Sequence, residues 1–254
     1  MVRIIINSDD FGLSPSVNNA IVTAFNEKLI SSTTCLVNFK RGLCDAVSIV
    51  NEGLIPKGSI GIHLNLTEGV PINTLTKNCN LLCEDGKFHG RIRNSPVFTL
   101  NKDQRKTVTL ELESQVEKFI AGFGFSPSHI DGHHHIQTEW AIMNCVIEIA
   151  HKFKIKNVRL TRNIGKGISL SKRIYKKLFN SRLKLLGIIT TDYFGDFEDL
   201  NHFQLKEKKC LELMVHAIAS DNSEINDLDH SSLRKKVKSL NENYQYKLIT
   251  YREL

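Results

Sequence analysis

The fold class is decided by the segment Val2–Gly12, which reads VRIIINSDDFG. Its three consecutive isoleucines predict a buried strand of the kind found in parallel sheets. Two carboxylates, Asp9 and Asp10, follow at the carboxyl end of this strand, the end that forms the functional face of parallel α/β folds. Adjacent carboxylates repel each other unless a cation or a proton intervenes. A turn or helix cap, where Asp is common, is an equally good interpretation of this segment alone.

Strand-like and helix-like segments alternate along the rest of the chain. The predicted strands are residues 2–7, 35–39, 60–66, 129–130, 158–160, 188–191, 211–215 and 248–251. Helical periodicity is present in residues 17–28, 43–52, 102–119, 139–154 and 170–186. This alternation predicts βα units and a mostly parallel sheet. Seven or eight strands favour a closed or nearly closed (β/α) barrel over an open sheet.

We expect a single domain over residues 1–254, a length that α/β barrels commonly occupy. Residues 67–99 interrupt the alternation, because this stretch is rich in Asn, Gly, Pro and Thr and has no periodic core. Loops of this length in compact domains are usually lids or binding elements. Residues 194–203 form a shorter acidic insertion.

The composition excludes several classes of protein. Hydrophobic residues make up 41% of the chain and charged residues 24%, as in globular proteins and unlike disordered ones. The apolar runs are shorter than the ~18 residues that a membrane span needs. No signal-peptide pattern precedes the first strand, and the six cysteines form no CxxC pair. We therefore expect a cytoplasmic protein with reduced thiols and no membrane partner.

The chain carries a net charge of +7 and has a pI near 9.1, so a nucleic-acid partner has to be considered. Much of the excess positive charge lies in residues 152–177. Aromatic residues are not interleaved there to stack on bases, so we predict no nucleic-acid partner. A solvated basic face is the favoured interpretation, and an anionic substrate is the next.

Histidines follow two further predicted strands. His63 and Asn65 share one face of the segment 60–66, opposite its isoleucines and leucines. Residues 129–135 read HIDGHHH, and four His with one Asp in seven residues are hard to explain by packing. Because His is the commonest metal ligand, both segments are candidate metal ligands, and Asp131 could fix the tautomer of one ring. A satisfied core histidine is the alternative for His63, and a polar surface loop for residues 129–135.

One Asp and two His from three strand ends match the 2-His-1-carboxylate set, which leaves coordination positions open. A structural zinc site would be closed by four ligands, so the open set favours catalysis. A metal there can polarise an acyl oxygen and activate water, and the spare Asp then serves as general base. His216 closes a late apolar strand and could protonate a leaving amine, or be a core histidine. Arg159 could orient the base or form a structural ion pair.

These motifs together resemble the YdjC-like carbohydrate deacetylase family, which is related in architecture to NodB-type polysaccharide deacetylases. The matching segments are residues 7–12, 31–34, 61–67, 129–135 and 212–216. The resemblance implies a distorted, TIM-like (β/α) barrel of about seven parallel strands. It also implies hydrolysis of N-acetyl groups on amino sugars, such as chitooligosaccharides, with a divalent metal.

Carried over by position, the resemblance implies that Asp9 is the catalytic base and that Asp10, His63 and His133 are the metal ligands. His216 falls in a late motif where an acid is expected. The chain departs from the family pattern at Gln137, where a further His is common, and at Ala217, where Pro is common.

The expected cofactor is one divalent metal ion, with Mg or Zn foremost and Mn, Co or Ni also open. The expected partner is a small N-acetylated sugar. Its binding residues are unassigned, and a homodimer is left open. Two alternative functions remain: hydrolysis of another amide or a phosphoester with a metal, and a sugar-binding barrel without catalysis.

Overall fold

The structure of the protein is a computed structural model that describes residues 1–94, 99–220 and 224–254. Its strands are β1 (Val2–Phe11), β2 (Ser32–Cys35), β3 (Ile60–Leu64), β4 (Cys83–Glu84), β5 (Lys87–Phe88), β6 (Ile130–Gly132), β7 (Tyr193–Gly195), β8 (Cys210–Val215), β9 (Ile218–Ala219), β10 (Ile225–Asn226) and β11 (Tyr246–Leu248). Its α-helices are α1 (Pro15–Asn26), α2 (Lys40–Asn51), α3 (Lys102–Phe123), α4 (Trp140–Lys152), α5 (Leu170–Leu185), α6 (Phe197–Leu200) and α7 (Leu233–Asn243). Short 3₁₀ turns lie at Lys57–Ser59, Thr74–Asn78, Arg91–Asn94, His133–Thr138 and Tyr251–Glu253.

Seven parallel strands form one curled sheet. The strand order is β6-β3-β2-β1-β8-β7, and β11 pairs with the first residues of β1. Isolated parallel bridges from Ile130 to Val158 and from Asn157 to Ile189 carry the pairing beyond β6, towards the segment that leads into β7. The sheet therefore curls into a distorted (β/α) barrel, as predicted.

The first strand is the centre of this sheet and explains its burial. Ile4, Ile5 and Ile6 are all fully buried. Ile4 and Ile6 belong to the main core beneath the helices, whereas Ile5 packs with Tyr251 inside the barrel. Because side chains alternate along a strand, Asn7 and Asp9 continue the inward-facing row that Ile5 begins. The barrel interior is thus apolar at the amino end of β1 and polar at its carboxyl end.

Two predicted strands, residues 158–160 and 188–191, are reduced to single bridges. Side chains satisfy the backbone at the end of the first segment, because Asn180 accepts from the backbone N–H and the hydroxyl of Thr161. The regular strand in this part of the chain is β7, which begins two residues after the predicted segment 188–191. The predicted strand 248–251 ends at Leu248, and Tyr251 begins a 3₁₀ turn.

Helix α7 was not predicted, although its pattern is readable. Leu233, Val237 and Leu240 are buried at the spacing of one helical face. The surrounding residues are so polar that this narrow apolar stripe gives only a weak helical signal.

The predicted lid, residues 67–99, is joined to helix α3 near its start. The backbone N–H groups of Ile72 and Asn73 donate to the carboxylate of Glu111 on α3, and β4 and β5 form a small hairpin. Residues 95–98 lie outside the described residues. The single domain over 1–254 and the lid role both stay predictions.

No helix within the described ranges is long and apolar enough to cross a membrane.

Candidate metal and catalytic site

Asp10, His63 and His133 converge at the carboxyl edge of the sheet. The Oδ1 atom of Asp10 lies 3.3 Å from Nε2 of His63 and 3.0 Å from Nδ1 of His133. Asp10 lies near the end of β1, His63 lies on β3, and His133 follows β6. The strands β6 and β3 are paired, β2 lies between β3 and β1, and the curl of the sheet brings the three side chains together. The Asp10 side chain is 15% exposed, while those of both histidines are below 10%. The cluster is therefore sheltered but reachable from outside.

The backbone at Asp10 explains how two adjacent carboxylates can serve one site. In a regular strand Asp9 and Asp10 would point to opposite faces. Asp10 instead has a left-handed backbone with φ of 70°, and the β1–β2 register is irregular between Ser8 and Phe11. The turn is fixed by Asn18, whose Oδ1 accepts a 2.6 Å hydrogen bond from the N–H of Gly12. This irregularity re-aims Asp10 towards the histidines.

His63 is oriented by a second carboxylate behind it. Its Nδ1 lies 2.6 Å from Oδ1 of Asp131, and Thr34 donates to the other oxygen of Asp131 at 2.9 Å. With Nδ1 engaged there, Nε2 faces Asp10. Burial disfavours protonation of His63, but the Asp131 and Asp10 carboxylates outweigh it and raise the pKa of His63 to about 10. The position is thus built to hold positive charge.

His133 opens a 3₁₀ turn whose next two residues, His134 and His135, have left-handed backbones. Its Nε2 lies 3.1 Å from Oε2 of Glu68, and His134 Nδ1 lies 3.0 Å from the Thr67 hydroxyl. Glu68, His133 and His134 form a second group that could hold a metal ion. Glu68 is not among the metal ligands predicted from the sequence. The signal that could have found it is a carboxylate directly after the segment 61–67.

Asp9 is held by Arg159 rather than by the histidines. Nη1 and Nη2 of Arg159 donate to the two carboxylate oxygens of Asp9 at 2.8 and 2.7 Å, and Asn7 donates to Oδ1 at 2.9 Å. Burial would raise the pKa of Asp9, but the charge and hydrogen bonds of Arg159 outweigh it and hold that pKa well below the usual range. Asp9 is therefore an ionised carboxylate beside the cluster.

Arg159 is itself completely buried and contacts three carboxylates. Besides Asp9, its Nη1 lies 2.8 Å from Asp131 and its Nε donates to Glu212 at 2.7 Å. Of the two interpretations of Arg159 left open by the sequence, the geometry supports both at once. It is an ion-paired residue, and one of its partners is Asp9.

The structure places His216 at the rim and not in the cluster of Asp10, His63 and His133. Its backbone N–H donates to Asp227 at 2.8 Å, and its side chain lines a pocket of about 370 Å³. His216 is among the groups that lower the pKa of Asp9, so the two lie within electrostatic reach. Its role as the acid stays a prediction.

Two more polar side chains lie in the turn after His133, the half-buried His135 and the buried Gln137. Burial, followed by the charge of Arg159, lowers the pKa of His135 to about 3, and its ring lies edge-on to Phe194. Nδ1 of His135 and both polar atoms of Gln137 are buried without hydrogen-bond partners among the described residues. Gln137 is the position where the sequence departs from the family pattern.

The donor set fits a divalent metal. Two ligand atoms that each lie ~2.1 Å from a tetrahedral ion are roughly 3.4 Å apart. The separations of 3.0 and 3.3 Å around Asp10 Oδ1 are close to this value. Two imidazoles with one carboxylate leave further coordination positions for water and substrate. Asp10, His63 and His133 could therefore hold an open-sided metal ion.

Solved structures share this fold. A crystal structure from Enterococcus faecalis V583, described as a proposed cellobiose-phosphate cleavage protein, has a TM-score of 0.70 at 21% identity and covers 99% of this chain and 98% of that one. A carbohydrate esterase family 4 (CE4) esterase of Streptococcus mutans has a TM-score of 0.50 at 12% identity, covering 96% and 84%.

The chain belongs to the family described as YdjC-like protein, whose model matches residues 3–248. It is 28% identical to the chitooligosaccharide deacetylase of Proteus mirabilis over 99% of this chain and 98% of that protein. It is also 28% identical to the carbohydrate deacetylase of Brevibacillus brevis over the full length of both.

Proposed function

We propose that the protein is a metal-dependent carbohydrate N-deacetylase that hydrolyses acetamide groups on amino sugars, with chitooligosaccharides as the first candidates. Full-length relatives named for sugar deacetylation support a hydrolase of amide C–N bonds. The observation that carries the proposal is the convergence of Asp10, His63 and His133 beside a separately held carboxylate, Asp9.

In this proposal Asp10, His63 and His133 hold the metal. A bound divalent ion supplies Lewis-acid polarisation of the acetamide oxygen and lowers the pKa of water. Asp131 and Thr34 keep the His63 ring in the orientation that presents Nε2. Zn, Mn, Co and Ni suit two imidazoles, whereas Mg prefers oxygen ligands, so Zn and Mg are the two ions to compare first.

Asp9 takes the proton of the attacking water as general base. Because Arg159 keeps this carboxylate ionised, it is ready to accept a proton over the whole neutral range. Arg159 and Asn7 also restrict its rotation, so that a lone pair stays directed at the site. A carboxylate with a lowered pKa is a weak base. It can take a proton only from a water whose own pKa has already been lowered.

Cleavage of the C–N bond leaves an amine nitrogen that needs a proton. We assign this proton to His216, whose position at the end of β8 is at the same rim of the barrel. The products are then acetate and a free amino sugar, and Asp9 and His216 exchange their protons with solvent afterwards. We also propose that residues 67–99 act as a lid over the sugar.

One experiment tests the function directly. Acetate release is measured over a panel of N-acetylated sugars, starting with diacetylchitobiose, with and without a chelator. We expect release that the chelator stops and that added Zn, Mn or Mg restores. Binding of the sugars without acetate release under any of these metals would contradict the proposal and support a binding protein.

A second candidate, metal-dependent phosphoester hydrolysis, is favoured by one observation. Glu68, His133 and His134 could hold a metal ion, and two-metal sites are typical of phosphoester hydrolases. This group shares His133 with the first, so the His133 ring would have to bridge the two ions. Phosphate release from phosphorylated sugars, in preference to acetate release from the panel, would favour this candidate. Two bound metal ions per chain would be the accompanying result.

A further inference from the structure

Behind Arg159, a polar chain runs from the catalytic rim to the 3₁₀ turn Tyr251–Glu253. The hydroxyl of Tyr251 donates a short hydrogen bond to Oε2 of Glu212. The other oxygen of Glu212 accepts from Nε of Arg159 at 2.7 Å. The two terminal nitrogens of Arg159 then donate to the two carboxylate oxygens of Asp9. All four side chains are buried, and each is connected to the next.

Tyr251 is held firmly at the far end of this chain. Its ring stacks on His129, with centroids 3.7 Å apart and planes 12° from parallel. Its backbone oxygen accepts a 3.1 Å hydrogen bond from the side chain of Asn157. Ile5, Cys210 and Ile249 pack around it inside the barrel. The hydroxyl therefore has a fixed place from which to donate.

The contact at Nε helps to orient the guanidinium of Arg159. This group is planar, so the carboxylate on Nε and that of Asp131 on Nη1 together set the plane and the direction of the two terminal nitrogens. Glu212 supplies the contact at Nε, but burial raises the pKa of Glu212 to about 7 against the influence of Arg159 and Tyr251. The Tyr251 hydroxyl is one of the donors that keep Glu212 in the carboxylate form.

We propose that Tyr251 and Glu212 are positioning residues that set the orientation of the Asp9 carboxylate through Arg159. Neither residue belongs to the cluster of Asp10, His63 and His133. The inference rests on the proposed role of Asp9 as general base, and it goes beyond that role by assigning its orientation to residues at the opposite end of the barrel interior.

The primary test is Tyr251→Phe, which keeps the ring and its stacking and removes only the hydroxyl. We expect kcat for acetate release to fall about tenfold, the equivalent of one hydrogen bond. KM, metal content and melting temperature should be nearly unchanged. Tyr246→Phe is the matched control, because the Tyr246 hydroxyl donates at 2.7 Å to Asn241 on the exposed side and should not affect kcat.

The second test asks whether Tyr251 acts through Glu212. Glu212→Leu replaces the carboxylate with an apolar side chain, and we expect kcat to fall by tenfold or more. Adding Tyr251→Phe to this variant should cause no further loss. A merely structural role of the tyrosine would instead lower kcat by the same factor in both backgrounds, and would lower the melting temperature.

Three results separate this inference from the function on which it rests. Wild-type kcat in Tyr251→Phe, or additive losses in the double variant, overturns the positioning role. When the positioning role is overturned in this way, an inactive Asp9→Asn variant in the same assay would still support Asp9 as the general base. Full activity in Asp9→Asn overturns both assignments together.

Discussion

Asp9 and Asp10 are neighbours in the chain, yet they meet different partners. Asp10 contacts two histidines, and Asp9 is bound by a buried guanidinium. The sequence could predict that both carboxylates lie at a strand end. It could not predict the division on physical grounds alone, because the left-handed backbone at Asp10 and the long-range contact with Arg159 are properties of the folded chain.

The two carboxylates can be separated by experiment. We expect Asp9→Asn to lower kcat by at least about 10³-fold while metal content is retained, because a general base contributes on this order. Asp10→Asn should lose metal and activity together. Metal analysis of the purified variants, alongside acetate release, checks both. Loss of metal in Asp9→Asn with retention in Asp10→Asn would reverse the assignment.

The raised pKa of His63 would make binding of the proposed metal depend on pH. The folded-state value of about 10 lies above the usual 6.5, so the ring of the metal-free protein is protonated at neutral pH. This shift stabilises the metal-free fold below pH 6.5, and the contribution is lost as pH rises through about 10. Metal must displace the proton, so affinity should increase with pH over this range.

Calorimetry in buffers of different ionisation enthalpy measures the effect. We expect release of about one proton per metal bound at pH 7. His151→Ala, on the exposed side of α4, is a control that should leave this number unchanged. Affinity that is independent of pH between 6 and 9 would contradict the ligand role of His63.

Arg159 supports the interior as well as the base. Arg159→Met would leave Asp9, Asp131 and Glu212 buried without their cation. We expect the free energy of unfolding to fall by about 3–5 kcal/mol, the usual cost of an uncompensated buried charge. Arg105→Met breaks only the exposed pair with Glu148 and should change stability by less than about 1 kcal/mol. Urea denaturation of both variants makes the comparison.

At the scale of elements, the turn between β1 and α1 is the part that places Asp10. Gly12 has φ of 82°, and a Cβ there would lie 2.5 Å from the backbone oxygen of Leu36. We expect Gly12→Ala to lower the free energy of unfolding by about 2–5 kcal/mol and to weaken metal binding, because both the conformation and the space exclude a side chain.

Gly53→Ala provides the matched control for this turn. Gly53 also has a left-handed backbone, with φ of 77°, but nothing lies within 4 Å of the added Cβ. Its cost should be about 1–2 kcal/mol from conformation alone, with no effect on the metal. Equal losses in the two variants would mean that the close approach at Gly12 is unimportant.

The elements show where sequence reasoning succeeds and fails. Buried parallel strands such as β1 and β3 were predicted because their apolar runs carry the signal within a few residues. The segments around Val158 and Ile189 were predicted as strands but form only bridges, and just past the first of them the side chain of Asn180 accepts from the backbone N–H of Thr161. That contact depends on residues far away in the chain.

The same limit applies to the site. Four predicted site residues lie at or just after the carboxyl ends of strands, so the topology of a parallel barrel brings them together. They are Asp9, Asp10, His63 and His133. Glu68 lies beyond the predicted motif. The contact between Tyr251 and Glu212 joins two elements whose proximity no local pattern reveals.

At the scale of the whole molecule, the proposed metal would join β1, β3 and the turn after β6. A ligand that binds only the folded state stabilises it by about 2.7 kcal/mol at a concentration of 100 Kd. For a chain of this size we expect the melting temperature to fall by about 5–10 °C when a chelator removes the metal. Asp10→Asn should show almost no shift with chelator, and an equal shift in that variant would contradict the site.

The carboxylates gathered around Arg159 also bear on how products would leave. Asp9 and Asp131 lie against this guanidinium, Glu212 pairs with its Nε, and Asp10 lies against two histidines. When all four carboxylates are ionised, their charge exceeds that of Arg159 and a bound divalent ion together by one unit. In the proposed reaction this excess would repel an acetate ion and attract the protonated amine of the deacetylated sugar. The acid would then leave first and the amino sugar last.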